Sequence, residues 1–259
     1  MASSWLVYCG DTVANGTLAF GSPPACATLG PALAAMGVAY ERVVGHVDDL
    51  DDFRALLASE SAPGAFAGLV RAHGLAGVSF DMEPPDMTED DAVRYGAFLA
   101  RVAAALAPLG ARVTVYAYSA HHSAIANFSA LARGAARLLD GDTYSGPDWD
   151  GWLSRYERLV PPAPNATGGA GVPLAKAGPA MMISTERGNW TCEPGAIAQR
   201  MARIAADGVP EVAAFAFDPA PSTACHFSRK YNRTVCPCTR AWLPAARSFL
   251  ALGGDDWGR

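Results

Sequence analysis

Leu75-Ala76-Gly77-Val78-Ser79-Phe80-Asp81-Met82-Glu83-Pro84-Pro85 is the stretch on which the fold turns. Val78, Phe80 and Met82 alternate with Ser79, Asp81 and Glu83, a period of two that places apolar side chains on one face of a strand and polar ones on the other. The spacing predicts two carboxylates about 6–7 Å apart along the strand. Such groups are costly to bury unless they are paired or used. Two readings follow: an acidic strand end paired with Arg or Lys, or a catalytic pair in which ionised Asp81 raises the pKa of Glu83 so that it works as a general acid near neutral pH.

Outward from this strand, β-rich runs at Ser4–Cys9, Glu41–Val47, Arg112–Ser119, Asp142–Ser145, Pro179–Thr185 and Val212–Asp218 alternate with helical patterns. The helices are expected at Pro24–Met36, Asp49–His73, Thr88–Leu109, His122–Leu139, Trp149–Val160, Glu193–Asp207 and Arg240–Leu252. Strict alternation predicts an α/β fold with a parallel sheet and helices outside it, and the length suits one α/β barrel over residues 1–259 or two small domains. Glu83, at the strand end before Pro84-Pro85, then falls on the rim where barrel enzymes carry their catalytic groups. A (β/α)8 TIM-type barrel would need one more strand than the pattern supplies before Gly77. Either Gly16 disguises a strand at Asn15–Phe20, or the first strand is lacking from this chain, and the latter is preferred. Pro161–Gly178, rich in Pro and Gly, reads as a long surface loop.

The chain has 259 residues, with 20 Lys+Arg against 25 Asp+Glu, a net charge of −5, and 51% hydrophobic residues. That composition excludes disorder as the main state and argues against nucleic acid as a partner. The most apolar helix, Phe98–Leu109, is interrupted by Arg101 and Pro108, so no membrane span is expected. The first ten residues hold neither a basic nor a long apolar segment, so no signal peptide is visible.

Five sequons, beginning at Asn15, Asn127, Asn165, Asn189 and Asn232, and six cysteines point instead to the secretory pathway, as a secreted or lysosomal protein. The alternative is a cytosolic protein with free thiols. Cys9 and Cys26 could close the first long loop, and Cys192 could pair with one of Cys225, Cys236 or Cys238. Cys225-His226 and Cys236-Pro237-Cys238 match no zinc spacing, so disulfides are preferred over a zinc site.

Ala76-Gly77-Val78-Ser79-Phe80-Asp81-Met82-Glu83 resembles the Asp-Gly-x-Asp-x-Asp-x-Glu strand of glycoside hydrolase family 18, the chitinases and their relatives. Glu41–Val47 with Asp52–Ser59 and Phe66–Gly74 is similar to the family's third strand and crossover. Asp142-Thr143-Tyr144 looks like its Met-x-Tyr strand, and Val212–Asp218 like its last strand. The resemblance implies a barrel that hydrolyses β-linked N-acetylglucosamine glycans, either chitooligosaccharides or the chitobiose core of N-glycans, by substrate-assisted retention and without metal or cofactor. It implies Glu83 as acid/base, Asp81 as the group that orients the substrate acetamide, and Tyr144 as its hydrogen-bonding helper.

Three positions depart from the family pattern: Ala76 and Ser79 stand where it has Asp, and Phe215 where it usually has the Trp that floors the sugar subsite. Ser79 leaves Asp81 with a hydroxyl neighbour instead of a carboxylate that shares a proton. Tyr118 and Trp149, just past strand ends, are candidate sugar platforms or, equally, core side chains. His121-His122 could line a cleft or lie in a solvated loop. Glu186 or Asp218 at about 6.5–9.5 Å from Glu83 would permit an inverting mechanism. The rival functions are a glycan-binding lectin that kept the barrel, and a barrel glycosidase for another sugar.

Overall fold

The computed structural model describes residues 5–14, 16–21, 26, 28, 32, 33, 35–45, 47, 49–117, 128–144, 149–160, 172–182, 194–215, 226–228 and 233–235. It divides into two compact units, Met1–Leu139 with Ala170–Val172, and Asp140–Gly169 with Pro173–Arg259.

The first unit is built on strands β1 (Trp5–Ala14), β2 (Thr17–Ala19), β3 (Tyr40–Gly45), β4 (Gly77–Asp81), β5 (Arg112–Ala117) and β6 (Arg137–Asp140), in the spatial order β2-β1-β3-β4-β5-β6. β1, β3, β4 and β5 pair in parallel, and β2 runs antiparallel to β1. Helices α1 (Leu50–Ala58) and α2 (Ala62–His73) connect β3 to β4, α3 (Glu89–Leu106) connects β4 to β5, and α4 (Phe128–Leu131) precedes β6.

Local chemistry sets these boundaries. Asp49 caps α1 by accepting the amides of Asp51 and Asp52 at 2.8 and 3.1 Å. Pro63 lies in the first turn of α2, and Gly74, at φ 59°, ends that helix in the left-handed conformation. A capping box starts α3: Thr88 accepts the Asp91 amide, and the Asp91 side chain accepts the Thr88 amide. The run Asp49–His73, expected as one helix, is therefore two. Ser59-Glu60-Ser61 breaks it because Ser59 takes extended backbone.

The core lies where β4 meets its helices. Phe80 of β4 packs edge-on against Phe66 of α2 at 5.1 Å and Phe98 of α3 at 5.9 Å, all three fully buried. Each such ring contributes roughly 1.5–3 kcal/mol of transfer free energy. Glu89–Leu109 is long and apolar enough by composition to cross a membrane. Its Tyr95, Phe98, Leu99, Val102 and Leu106 are instead buried, as befits a core helix.

In the second unit a 3-10 turn over Gly141–Tyr144 leads to α5 (Trp149–Leu159). β7 (Ala177–Met182) pairs in parallel with β8 (Ala213–Phe215), and α6 (Pro194–Ala206) lies between them in sequence. A small antiparallel hairpin follows, β9 (His226–Ser228) with β10 (Arg233–Val235). α5 and α6 meet through an aromatic ladder. Trp149 and Trp152 lie 5.2 Å apart, and Trp152 and Tyr156 stack at 4.9 Å. Arg200 and Arg203 cover Trp152 and Tyr156 at 5.5 and 5.9 Å. The Tyr156 hydroxyl donates to Asp207 at 3.0 Å; burial and then the Asp207 charge push its pKa up.

Several expectations are corrected. The sequence pattern extends a helix to Leu139 and puts a strand at Asp142–Ser145, whereas the strand is Arg137–Asp140 and Gly141–Tyr144 is the 3-10 turn. All four β6 residues are buried, so no polar face betrays the strand. The preceding helix is only Phe128–Leu131, and Gly134 passes so close to the backbone of Leu99 and Ala100 that a Cβ there would clash. β4 ends at Asp81, two residues before Glu83. Asn15–Phe20 does contain a strand, β2, but as the return arm of a hairpin through Gly16, at φ 68°. The tail of the expected loop is ordered: Leu174–Lys176 is a 3-10 turn, and β7 begins at Ala177. The expected helix Arg240–Leu252 lies outside the described residues.

Candidate active site

β4 carries two opposed faces. Phe80 commits one face to the helices, so Gly77, Ser79 and Asp81 share the other. The ladder registers place these residues in three levels. Gly77 pairs with Glu41 and Arg112, Ser79 with Val43 and Thr114, and Asp81 with Gly45.

The lowest level is ionic. Glu41 is fully buried and accepts the Nε proton of Arg112 at 2.7 Å, the hydroxyl proton of Thr114 at 2.6 Å and a proton from the Arg137 guanidinium. Arg137 Nε also donates to Thr114 Oγ1 at 3.2 Å. Three cross-strand donors satisfy the carboxylate, as a buried charge requires. Gly77 belongs here because a Cβ would collide with the Arg112 carbonyl.

The middle level holds Ser79, fully buried, whose hydroxyl has no hydrogen-bond partner among the described residues. At the top, Asp81 is half-buried and Glu83 is exposed, with buried Met82 between them. The step from buried to exposed along Ser79, Asp81 and Glu83 follows the chain as it leaves the sheet at its C-terminal edge. Behind the strand, the fully buried Tyr95 of α3 packs edge-on against Phe53 at 5.2 Å. Burial, and next the charges of Asp81 and Glu83, hold its phenol pKa well above the usual tyrosine value.

Ser79 and Asp81 lie on β4, and Glu83 follows two residues after its end. Tyr144 is the last residue of the 3-10 turn after β6, Trp149 is the first residue of α5, and Phe215 the last of β8, all three in the second unit. Trp149 stays partly exposed while its ring rests on Trp152. Tyr118, His121, His122, Glu186 and Asp218 lie outside the described residues, as do the five sequon asparagines and Cys192, Cys225, Cys236 and Cys238. Cys9 and Cys26 form a disulfide, the pairing expected to close the first loop. Among the described residues no group of three or more His, Cys, Asp or Glu side chains could hold a metal ion.

Glu41, Thr114, Arg137 and Tyr95 were not foreseen from the sequence. A signal existed for the first group: Glu41, Arg112 and Arg137 each stand at the first or second position of a strand. Opposite charges at matching heights meet across β4, where Gly77 leaves room between β3 and β5.

No protein-family model matches the sequence, and no curated protein does. Solved structures do. A chitinase from Chromobacterium violaceum superposes with a TM-score of 0.66 at 14% identity, covering 96% of this chain and 99% of that one. The fold is that of the chitinases. A class V chitinase from Pseudomonas fluorescens gives a TM-score of 0.62 at 12% identity over 83% of this chain and 87% of its own. The catalytic domain of a family GH18 chitinase from the fern Peteris ryukyuensis gives 0.61 at 12% identity over 95% and 90%. The likeness in fold covers 83–96% of this chain.

Proposed function

We propose that this chain is a glycoside hydrolase of β-linked N-acetylglucosamine glycans, acting by substrate-assisted retention through residues 1–259 as one catalytic domain. The observation that carries the reading is the polar face of β4. Asp81 and Glu83 leave the C-terminal end of a strand whose opposite face is locked into a phenylalanine core. In a chitinase-like fold that is the edge from which catalytic groups emerge.

Glu83, exposed and two residues beyond the strand, protonates the glycosidic oxygen. The carbonyl oxygen of the substrate's own acetamide attacks the anomeric carbon, the bond to the leaving sugar breaks, and Asp81 accepts the acetamide N–H as its nitrogen gains positive charge. Water then opens the cyclic intermediate, giving its proton back to Glu83. Tyr144 hydrogen-bonds the acetamide, Ser79 lies below Asp81 on the same face of β4 without a hydrogen bond to it, and Tyr118, Trp149 and Phe215 offer ring faces to the sugars. The partner is an oligosaccharide, and no cofactor enters the scheme. The Cys9–Cys26 disulfide supports an oxidising compartment, and with it secretion or lysosomal residence.

The hydroxyl of Ser79, buried and unpartnered where the family carries a carboxylate, favours one second reading: a lectin that binds the same glycans without turnover. Release of fluorophore from chitobiose- or chitotriose-linked umbelliferone, beside direct chitooligosaccharide binding, separates the two. Hydrolysis by the wild type, reduced by about 10²-fold or more in Glu83→Gln with binding retained, supports the enzyme. Binding without hydrolysis supports the lectin, and neither result leaves only a barrel glycosidase for a different sugar.

A further inference from the structure

Thr143 is fully buried in the 3-10 turn that follows β6. Its hydroxyl oxygen accepts the amide proton of Ala180 at 2.7 Å, and lies 2.7 Å from the Asp140 carbonyl and 3.0 Å from the Ala180 carbonyl. A hydroxyl has one proton and two lone pairs, so its oxygen accepts from Ala180 and its proton is shared between the two carbonyls. Ala180, buried in the middle of β7, has an amide and a carbonyl that need partners. The Thr143 side chain takes the place of a strand backbone there, which lets the chain abandon extended geometry after Asp140 and still leave Ala180 satisfied.

The next residue, and the last of the turn, is Tyr144. We propose that Thr143 is a positioning residue: its hydroxyl bolts the Gly141–Tyr144 turn to β7 and so fixes where Tyr144 begins. The inference rests on the functional reading in which Tyr144 meets the substrate acetamide. Valine has the shape of threonine but supplies neither the acceptor nor the donor. Serine supplies both.

The test compares Thr143→Val, Thr143→Ser, Tyr144→Phe and the Thr143→Val/Tyr144→Phe double variant in the full chain. Thr143→Val is expected to lower kcat/KM on the chitotriose probe about tenfold, and Thr143→Ser to restore most of it. In the Tyr144→Phe background Thr143→Val is expected to cost less than about twofold, because the two residues act as one unit. An equal loss in both backgrounds overturns the proposal. If the wild type binds without turnover, the same cycle is read on chitooligosaccharide affinity.

Hydrogen exchange at the Ala180 amide supplies a readout independent of glycan. Exchange should accelerate in Thr143→Val and stay slow in Thr143→Ser, and unchanged protection in Thr143→Val overturns the bolt. A wild type that neither turns over nor binds the glycan removes the functional reading, while exchange at Ala180 still decides whether Thr143 holds the turn.

Discussion

Gly45 and Asp81 are partners in the parallel ladder between β3 and β4. The residue beside the carboxylate on that side therefore has no side chain, which under the proposed function leaves that flank to a substrate group. Gly45 is not in the left-handed region, so a strand-forming side chain suits its backbone. Gly45→Val is expected to raise KM for the chitotriose probe about tenfold, the equivalent of one displaced hydrogen bond of ~1.4 kcal/mol. Steady-state kinetics beside a thermal melt checks this. A KM equal to wild type in a folded variant would remove Gly45 from the approach to Asp81.

Ser79→Asp places a second carboxylate in a fully buried position directly below Asp81. Burial and the neighbouring charge both raise the pKa of the new group in the folded state. Folding with a raised carboxyl pKa is favoured below the unfolded value of about 4, and that advantage disappears as pH rises through the folded pKa. The variant should match wild type most closely near pH 4 and fall behind by at least ~1 kcal/mol at pH 7, as an unpaired buried charge requires. Denaturant melts across that range give the answer; a gap that closes with rising pH would show that the site already solvates an ion.

The period of two in Val78–Asp81 was legible because β4 has an apolar face against Phe66 and Phe98 and a polar face away from them. β6 was not legible for the complementary reason. Arg137 and Asp140 are buried like Leu138 and Leu139, so hydropathy shows no alternation, and the Ala-rich run before them extends a helical pattern that in fact stops at Leu131. The same limit hid the site's floor. Glu41 reads as an ordinary polar start to a strand, and only the register that brings Arg112 and Arg137 to its level reveals an ion cluster. Tyr95 was hidden in a helix whose core positions Phe98, Leu99, Val102 and Leu106 are plainly apolar; nothing in its spacing indicates a fully buried phenol.

The Cys9–Cys26 disulfide closes a span of 17 residues around a small cluster of Val7, Cys9 and Leu33, against which Val38 and Tyr40 pack. Closing a loop of that length restricts the unfolded chain by about 3 kcal/mol. Cys9→Ala/Cys26→Ala is expected to lose roughly that much stability in a denaturant titration, on the order of 2–4 kcal/mol. A variant as stable as wild type would mean that the cluster closes the loop without the covalent bond.

Asp91 joins the start of α3 to α1. It accepts two bonds from the Arg54 guanidinium, at 2.8 and 2.9 Å, together with the Thr88 amide and hydroxyl at 2.9 and 2.7 Å. The Arg54 bonds foremost, then those from Thr88, outweigh burial and hold the carboxyl well below the usual carboxylate range. A depressed folded pKa stabilises above the unfolded value near 4 and is lost as pH falls toward the folded one. Asp91→Asn cannot ionise, so it forfeits this contribution at every pH. The variant's Tm should lie about 3–5 °C below wild type at pH 7, and the two curves should converge as pH is lowered from 5 toward 2. Parallel curves over that range would mean that Asp91 serves the capping box alone and draws no pH-dependent stability from Arg54.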